Sequence, residues 1–337
     1  MKPLGFLLSF ILAWPCTLNG DACAPAFHSN LVNEEALAPA LLQRFSRSFR
    51  RAAAAHEMYE IAHYAPLEPI GEGKFGTVFK GRDRQTQAPI SIKRPNAEKS
   101  AGPHFANERR ALKIIARGMS SSPHGVYPFP KLLESHEERL LITDFFEGET
   151  LENYLYRKQQ EGALFTLPMR LTLMLAILEA SILEHEMGLI HFDLASTNIL
   201  VREETDAFVV RLIDFGGAYP YGQEVLNFSF TPLYGAPEIT KLYTPLHALP
   251  TIDIYALGII FYELVAQPIE LPGKSFLAMI SMSIRPFHKI VSENKTLDQS
   301  VRDIIRKATA DDDRERYLTV KKMRADVKRV LTSYQSA

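Results

Sequence analysis

Hydrophobic positions recur along this chain with several different periods, and each period predicts an element. Leu4 to Trp14 is an apolar run of 11 residues behind a single lysine. A bilayer span needs about 20 such residues, so the run has the proportions of the apolar region of a secretory signal peptide. Gly20, Ala22 and Ala26 offer small residues for cleavage; the alternative is a buried N-terminal helix. Leu37, Leu41, Phe45 and Phe49 then recur at helical spacing, with Arg44, Arg47, Arg50 and Arg51 beside them. This predicts a helical extension over 27–65 packed on the domain that follows. A basic amphipathic helix on a membrane surface, over residues 34–55, is the second reading. Beyond residue 65 the pattern changes. Thr77-Val-Phe-Lys80 and Pro89-Ile-Ser-Ile-Lys93 read as strands, and Leu212-Ile-Asp214 as an apolar strand ending on an acid. Phe105, Leu112 and Ile115 define one face of a helix. Leu171–His185 and Ile252–Ala266 read as long apolar helices, both too short to span a membrane.

Composition narrows the classes. Of 337 residues, 38 are basic and 39 acidic, a net charge of −1, which excludes polyanion binding by bulk charge and predicts no nucleic-acid partner. A hydrophobic fraction of 46% excludes wholesale disorder. The two cysteines, Cys16 and Cys23, both precede residue 27, so the rest of the chain has no disulfide framework.

Single charged residues carry the candidate chemistry. Gly71, Gly73 and Gly76 lie between β-prone flanks. Glycine there allows close backbone approach to phosphates. Such a triplet is weak evidence alone, but this one leads into a strand rather than a helix and so reads as a hairpin. Val78, two residues on, would place an apolar contact over a nucleotide. Lys93 ends a short strand, and Glu108 falls on nearly the same helix face as Phe105; an inward acid requires a cation, and Lys93 can supply it. Asp193 and Asn198 lie five residues apart in a loop between apolar stretches, and Asp214 follows sixteen residues later. Asn198 and Asp214 are hard oxygen ligands suited to Mg²⁺ on nucleotide phosphates, which leaves Asp193 to orient a hydroxyl nucleophile.

With these motifs in order, residues 66 to about 330 resemble a eukaryotic-type protein kinase. The resemblance extends to Thr231-Pro-Leu-Tyr-Gly-Ala-Pro-Glu238, to Asp253 in a central helix, and to Arg316, which matches the late arginine that pairs with Glu238. It implies an α+β, bilobal fold with a β-rich small lobe carrying one key helix (66–144) and a larger helical lobe (145–332). ATP would bind between them. Lys93 would hold the phosphates with Glu108 as partner, Asp193 would be the catalytic aspartate, and Asn198 and Asp214 the metal ligands. Thr143 would be the gatekeeper. Asp144, Phe145 and Phe146 would offer backbone groups to adenine, with Leu200 in the floor. Thr231 implies Ser/Thr acceptors on a protein substrate. With residues 1–26 as signal segment, the chain is expected to be exported, which requires ATP in a lumen or delivery into another cell.

The sequence also departs from the pattern. Phe192 stands where an arginine usually receives a loop phosphate, so activity is expected not to require phosphorylation of Ser229 or its neighbours. Ala195 and Thr197 leave the catalytic loop without a cation. Ser91 replaces the alanine that usually packs on adenine, and residues 214–238 are poor in basic side chains. The alternatives are a pseudokinase scaffold and a kinase of small molecules or glycans. Asn227-Phe-Ser229 and Asn294-Lys-Thr296 match the glycosylation pattern.

Overall fold

The computed structural model describes residues 68–96, 101–119, 127–136, 140–162, 165–205, 207–226, 230–240, 246–266 and 287–336. The expected signal segment, the 27–65 extension and the Asn227–Ser229 pattern lie outside them. Alternating apolar and polar residues build a five-stranded antiparallel sheet from β1 (Glu68–Glu72), β2 (Gly76–Arg82), β3 (Pro89–Pro95), β4 (Leu132–His136) and β5 (Leu140–Asp144). The strand order is β1-β2-β3-β5-β4. On one face Phe79, Ile90, Ile92, Leu140 and Ile142 make a small core of their own. The register sets Lys93 opposite Val78 on one side and Leu141 on the other, and Ser91 opposite Thr143. β3 runs two residues past Lys93, so the lysine is held inside the strand and not at its end.

Helix α1 (Ala101–Met119) crosses beneath this sheet and buries Phe105, Leu112 and Ile115, with Glu108 on the same inward face. Its apolar face merges with the core of the large lobe, where each buried Leu or Phe contributes about 1.5–3 kcal/mol.

The large lobe is helical. Helix α2 (Leu151–Gln160) starts at Thr150, whose hydroxyl accepts from Asn153 N–H. Helix α3 (Leu167–Glu186) begins four residues before its long apolar stretch, because Thr166 caps it and Pro168 fits its first turn. Helix α4 (Pro250–Val265) is buried on all sides from Ile252 onward and forms the lobe's axis. Helices α5 (Phe287–Glu293), α6 (Gln299–Ala308) and α7 (Val320–Gln335) complete it. No described helix is long and apolar enough to cross a membrane.

Short strands frame the cleft. A three-stranded sheet has the order β6 (Glu149–Thr150), β8 (Ile199–Glu203), β9 (Phe208–Leu212). β7 (Leu189–Ile190) pairs with β10 (Tyr219–Pro220), and β11 (Glu224–Val225) with β12 (Leu246–His247). β9 stops at Leu212, two residues earlier than its apolar pattern suggests. Ile213 N–H turns to Asn198 O, and Asp214 takes a left-handed backbone with φ 62°.

Candidate active site

Lys93, Glu108, Asn198 and Asp214 line one cleft of about 490 Å³ between the lobes, a volume within the usual range for small-molecule sites. Lys93 Nζ donates to Glu108 Oε2 at 2.6 Å and to Asp214 Oδ1 at 2.8 Å. One ammonium thus stands between two carboxylates. Burial alone would depress the lysine, but Asp214 and Glu108 outweigh it and hold Lys93 above the ordinary lysine range. The two acids diverge. Burial lifts Glu108 to about 7 against the pull of Lys93. Asp214, with a side chain 31% exposed against 8% for Glu108, meets a burial penalty that Lys93 overcomes, and it falls to about 2. Asp214 therefore presents an ionised oxygen to the cleft.

Asp193 and Asn198 lie on the loop after β7. Asn198 Nδ2 donates to Asp193 O at 2.8 Å and closes that loop. Asp193 Oδ1 accepts from both Thr231 N–H and Thr231 Oγ1, each at 2.7 Å. The base of this loop is fixed from α4: Asp253 accepts from the backbone N–H groups of His191 and Phe192, at 2.8 and 2.9 Å, and bonds His185 Nε2 at 2.8 Å. Phe192 has φ 66°, a left-handed conformation that costs a bulky side chain energy, and those hydrogen bonds hold it there. Its ring packs edge-on against Tyr219 at 5.4 Å. His191 is fully buried with its ring 4.8 Å from that of Phe215.

The remaining expected residues sort by place. Gly71, Gly73, Gly76, Val78, Thr143, Phe145, Phe146 and Leu200 line the same cleft. Of the glycines, Gly76 is the one with a neighbour that demands it, since a Cβ there would overlap the Arg94 carbonyl. Glu238, Asp253 and Arg316 lie outside the cleft. Arg316 has a side chain with no exposed surface; its two terminal nitrogens donate to the two Glu238 oxygens at 2.7 Å, one of them also to Thr251 O, and its Nε donates to Ala310 O.

The structure adds residues that sequence reasoning passed over. Asn107, next to Glu108, donates its amide to Gly216 O at 2.8 Å and Ala218 O at 2.7 Å, tying α1 to the segment after Asp214. His104 lies one turn before Glu108, 3.8 Å from Asp214, and stacks on Phe75 of the glycine-rich turn at 3.9 Å and 14°. Arg211 in β9 clamps Asp144 in the hinge with two 2.9 Å bonds, while Asp144 Oδ1 also accepts from Lys131 N–H. The Arg211 guanidinium lies 5.0 Å from the Phe146 ring. None of these carried a signal in spacing or periodicity; Asn107 alone had adjacency to Glu108 as a pointer. At Asn294 the side-chain amide donates to Tyr262 Oη, so the acceptor nitrogen of that glycosylation pattern is engaged inside the lobe.

Comparison with known proteins agrees with this geometry. The protein kinase domain family model matches residues 64–326. The chain is 27% identical to a probable serine/threonine-protein kinase PknB of Lactococcus lactis, over 78% of this chain and 41% of that protein. It is 27% identical to mitogen-activated protein kinase p38a of Drosophila melanogaster, over 65% of this chain and 58% of that protein. Against mitogen-activated protein kinase HOG1 of Eremothecium gossypii the identity is 28%, over 69% and 50%. The chain thus spans about half the length of the curated relatives it matches. With a matching family model over most of its length and a two-lobed fold around an ordered Lys-Glu-Asp cluster, the chain belongs to the protein kinase domain family.

Proposed function

We propose that this chain is an ATP- and Mg²⁺-dependent protein kinase that transfers the γ-phosphoryl group to Ser or Thr hydroxyls of protein substrates. The observation that carries the reading is the joint placement of Lys93, Glu108, Asp214 and Asn198 in one cleft, with Asp193 held beside it by the Asn198 amide. Asp214 and Asn198 would hold Mg²⁺: both are oxygen ligands in the cleft, and Asp214 stays ionised well below neutral pH. The ion would supply neutralisation of phosphate charge. Lys93 binds phosphate oxygens and fixes their orientation through Glu108. Asp193 orients the acceptor hydroxyl and receives its proton. Thr231, bonded to Asp193 Oδ1, fits a hydroxyl acceptor on Ser or Thr.

Substituting Asp214 by Ala should abolish labelling of acceptor protein from radioactive ATP while leaving the folded-state spectrum intact. Unchanged labelling refutes the assignment. Phe192 and Ala195 support the second reading, a nucleotide-binding scaffold; thermal stabilisation by ATP and Mg²⁺ with no transfer in the wild-type chain would favour it. From the apolar run at Leu4–Trp14 we also infer export, which N-terminal sequencing of the native protein tests.

A further inference from the structure

We propose that Lys74, at the tip of the glycine-rich turn, is a catalytic residue that supplies the cation missing from the catalytic loop. This rests on the phosphotransfer reading above and adds a role to it.

The deficit is local. Between Asp193 and Asn198 there is no basic side chain; Ala195 is fully buried, and the Ser196 hydroxyl is bonded to Tyr234 Oη at 2.7 Å. A transferring phosphoryl group spreads negative charge over three equatorial oxygens, and preorganised cations facing them are a large part of catalysis. Lys93, on the small-lobe sheet, has its ammonium shared between Glu108 and Asp214, and the described residues of the catalytic loop add no second cation.

The roof supplies what the floor lacks. Among the described residues three basic side chains line the cleft: Lys74, Lys93 and Arg211. Arg211 lies at the hinge, clamped on Asp144. Lys74 lies at the opposite end, between Gly73 and Gly76, on the turn that covers phosphates in a fold of this kind.

That turn is braced as a platform. Gly73 N–H donates to Gly76 O at 2.9 Å, closing the tip. Asn96, at the end of β3, donates its side-chain amide to Gly73 O at 2.8 Å and to Lys74 O at 3.2 Å, and its backbone N–H to Phe75 O at 3.1 Å. On the inner side the Phe75 ring lies flat on His104, and His104 lies against Asp214. The Lys74 ammonium is 5.0 Å from the centre of that same Phe75 ring. A continuous stack, Lys74 to Phe75 to His104 to Asp214, therefore ties the ammonium to the metal-binding carboxylate.

In the step itself a bond forms between the acceptor oxygen and the γ-phosphorus as the bond from phosphorus to the β,γ-bridging oxygen breaks. The electron pair leaves with ADP, and the acceptor proton passes to the Asp193 carboxylate. Lys74 donates hydrogen bonds to the equatorial oxygens.

The test compares Lys74→Ala, Lys74→Arg and the double variant Lys74→Ala/Thr197→Arg; positions 74 and 197 are both exposed in the cleft wall, so folding is preserved. Lys74→Ala should lower kcat about a hundredfold, the usual effect of losing one preorganised donor, with KM for ATP changed less than about threefold. Lys74→Arg should retain most of kcat, and the double variant should regain at least tenfold over Lys74→Ala. A second readout needs no turnover. Aluminium fluoride, a planar mimic of the phosphoryl group, should tighten Mg²⁺·ADP binding to the wild-type chain and fail to do so in Lys74→Ala, with the affinity for Mg²⁺·ADP alone unchanged. Wild-type kcat in Lys74→Ala, an equal loss in Lys74→Arg, or a parallel loss of plain ADP affinity overturns the role of Lys74 and leaves the kinase reading standing. A wild-type chain that transfers nothing and gains no affinity from aluminium fluoride overturns both.

Discussion

A methyl group at position 216 would overlap the His104 ring, so the glycine after Phe215 is dictated by a helix more than one hundred residues away. Gly216→Ala should therefore destabilise the fold by about 1–3 kcal/mol, as overpacking does. It should also lower turnover, because the shift would pull Gly216 O and Ala218 O away from Asn107. Pairing it with His104→Ala should restore the denaturant midpoint; a double variant no better than the single would show that the overlap is not the cause. At this scale the sequence disclosed the charges and concealed their neighbours. Lys93, Glu108, Asp193 and Asp214 stand out because isolated charges in apolar surroundings need a reason, and Asn198 stands out through its spacing from Asp193. His104, Asn107 and Asn96 do not, because an amide or imidazole has no preferred period and its partners are far along the chain.

At the scale of elements, two contacts define how the cleft is held open and aligned. The Arg211–Asp144 clamp joins β9 to the hinge, with the Arg211 side chain 9% exposed and that of Asp144 33%. Because Asp144 is a third open to solvent, removing the arginine should cost less than the 3–5 kcal/mol of a fully buried pair, about 1–2 kcal/mol. Arg211→Met is expected to weaken ATP binding roughly tenfold, equivalent to about 1.4 kcal/mol, and the reversed pair Arg211→Asp/Asp144→Arg to recover part of it by calorimetry. The second contact is the Phe192 ring on Tyr219 in β10, with Asn107 on the carbonyls just before it. These contacts bind Tyr219 and the segment after Asp214 without a phosphate or an arginine. Dephosphorylated protein should thus retain full turnover, and a phosphomimetic at Ser229 that raised kcat strongly would defeat this. The strands at 77–80 and 89–93 and the helices around Phe105, Leu171 and Ile252 were legible from alternation and helical spacing. Their ends were not: β9 stops early and α3 starts early because Asn198 and Thr166 capture backbone groups, which periodicity does not register.

Taken whole, the molecule is built around α4, and its buried acids give it a pH signature. Glu263 is 1% exposed, accepts from Tyr234 Oη at 2.7 Å, and is lifted to about 8, by burial first, with Tyr234 opposing and Glu152 assisting. The Glu184 carboxyl in α3 has no hydrogen-bond partner among the described residues and is also driven upward, by burial and then by Asp253. A carboxyl whose folded value lies above its unfolded one binds its proton more tightly in the native state. Stability is then greatest below the unfolded value near 4.5 and declines as pH rises toward 8. Thermal midpoints should fall between pH 5 and 8, and Glu263→Gln should flatten that slope; a midpoint that rises over this interval would contradict the assignment. The bilobal α+β class was legible from motif order alone. This pH dependence was not, since Glu263 and Glu184 read in sequence as ordinary polar positions on apolar helices.

Thr231 places two donors on a single oxygen of Asp193. That arrangement restrains the carboxylate's rotation and leaves its other oxygen to accept. The rotamer freedom that Asp193 would otherwise lose at each encounter with an acceptor is lost once, when the chain folds. On the proposed kinase reading, an incoming hydroxyl would meet a carboxylate already oriented, and the entropic part of its barrier would be correspondingly smaller.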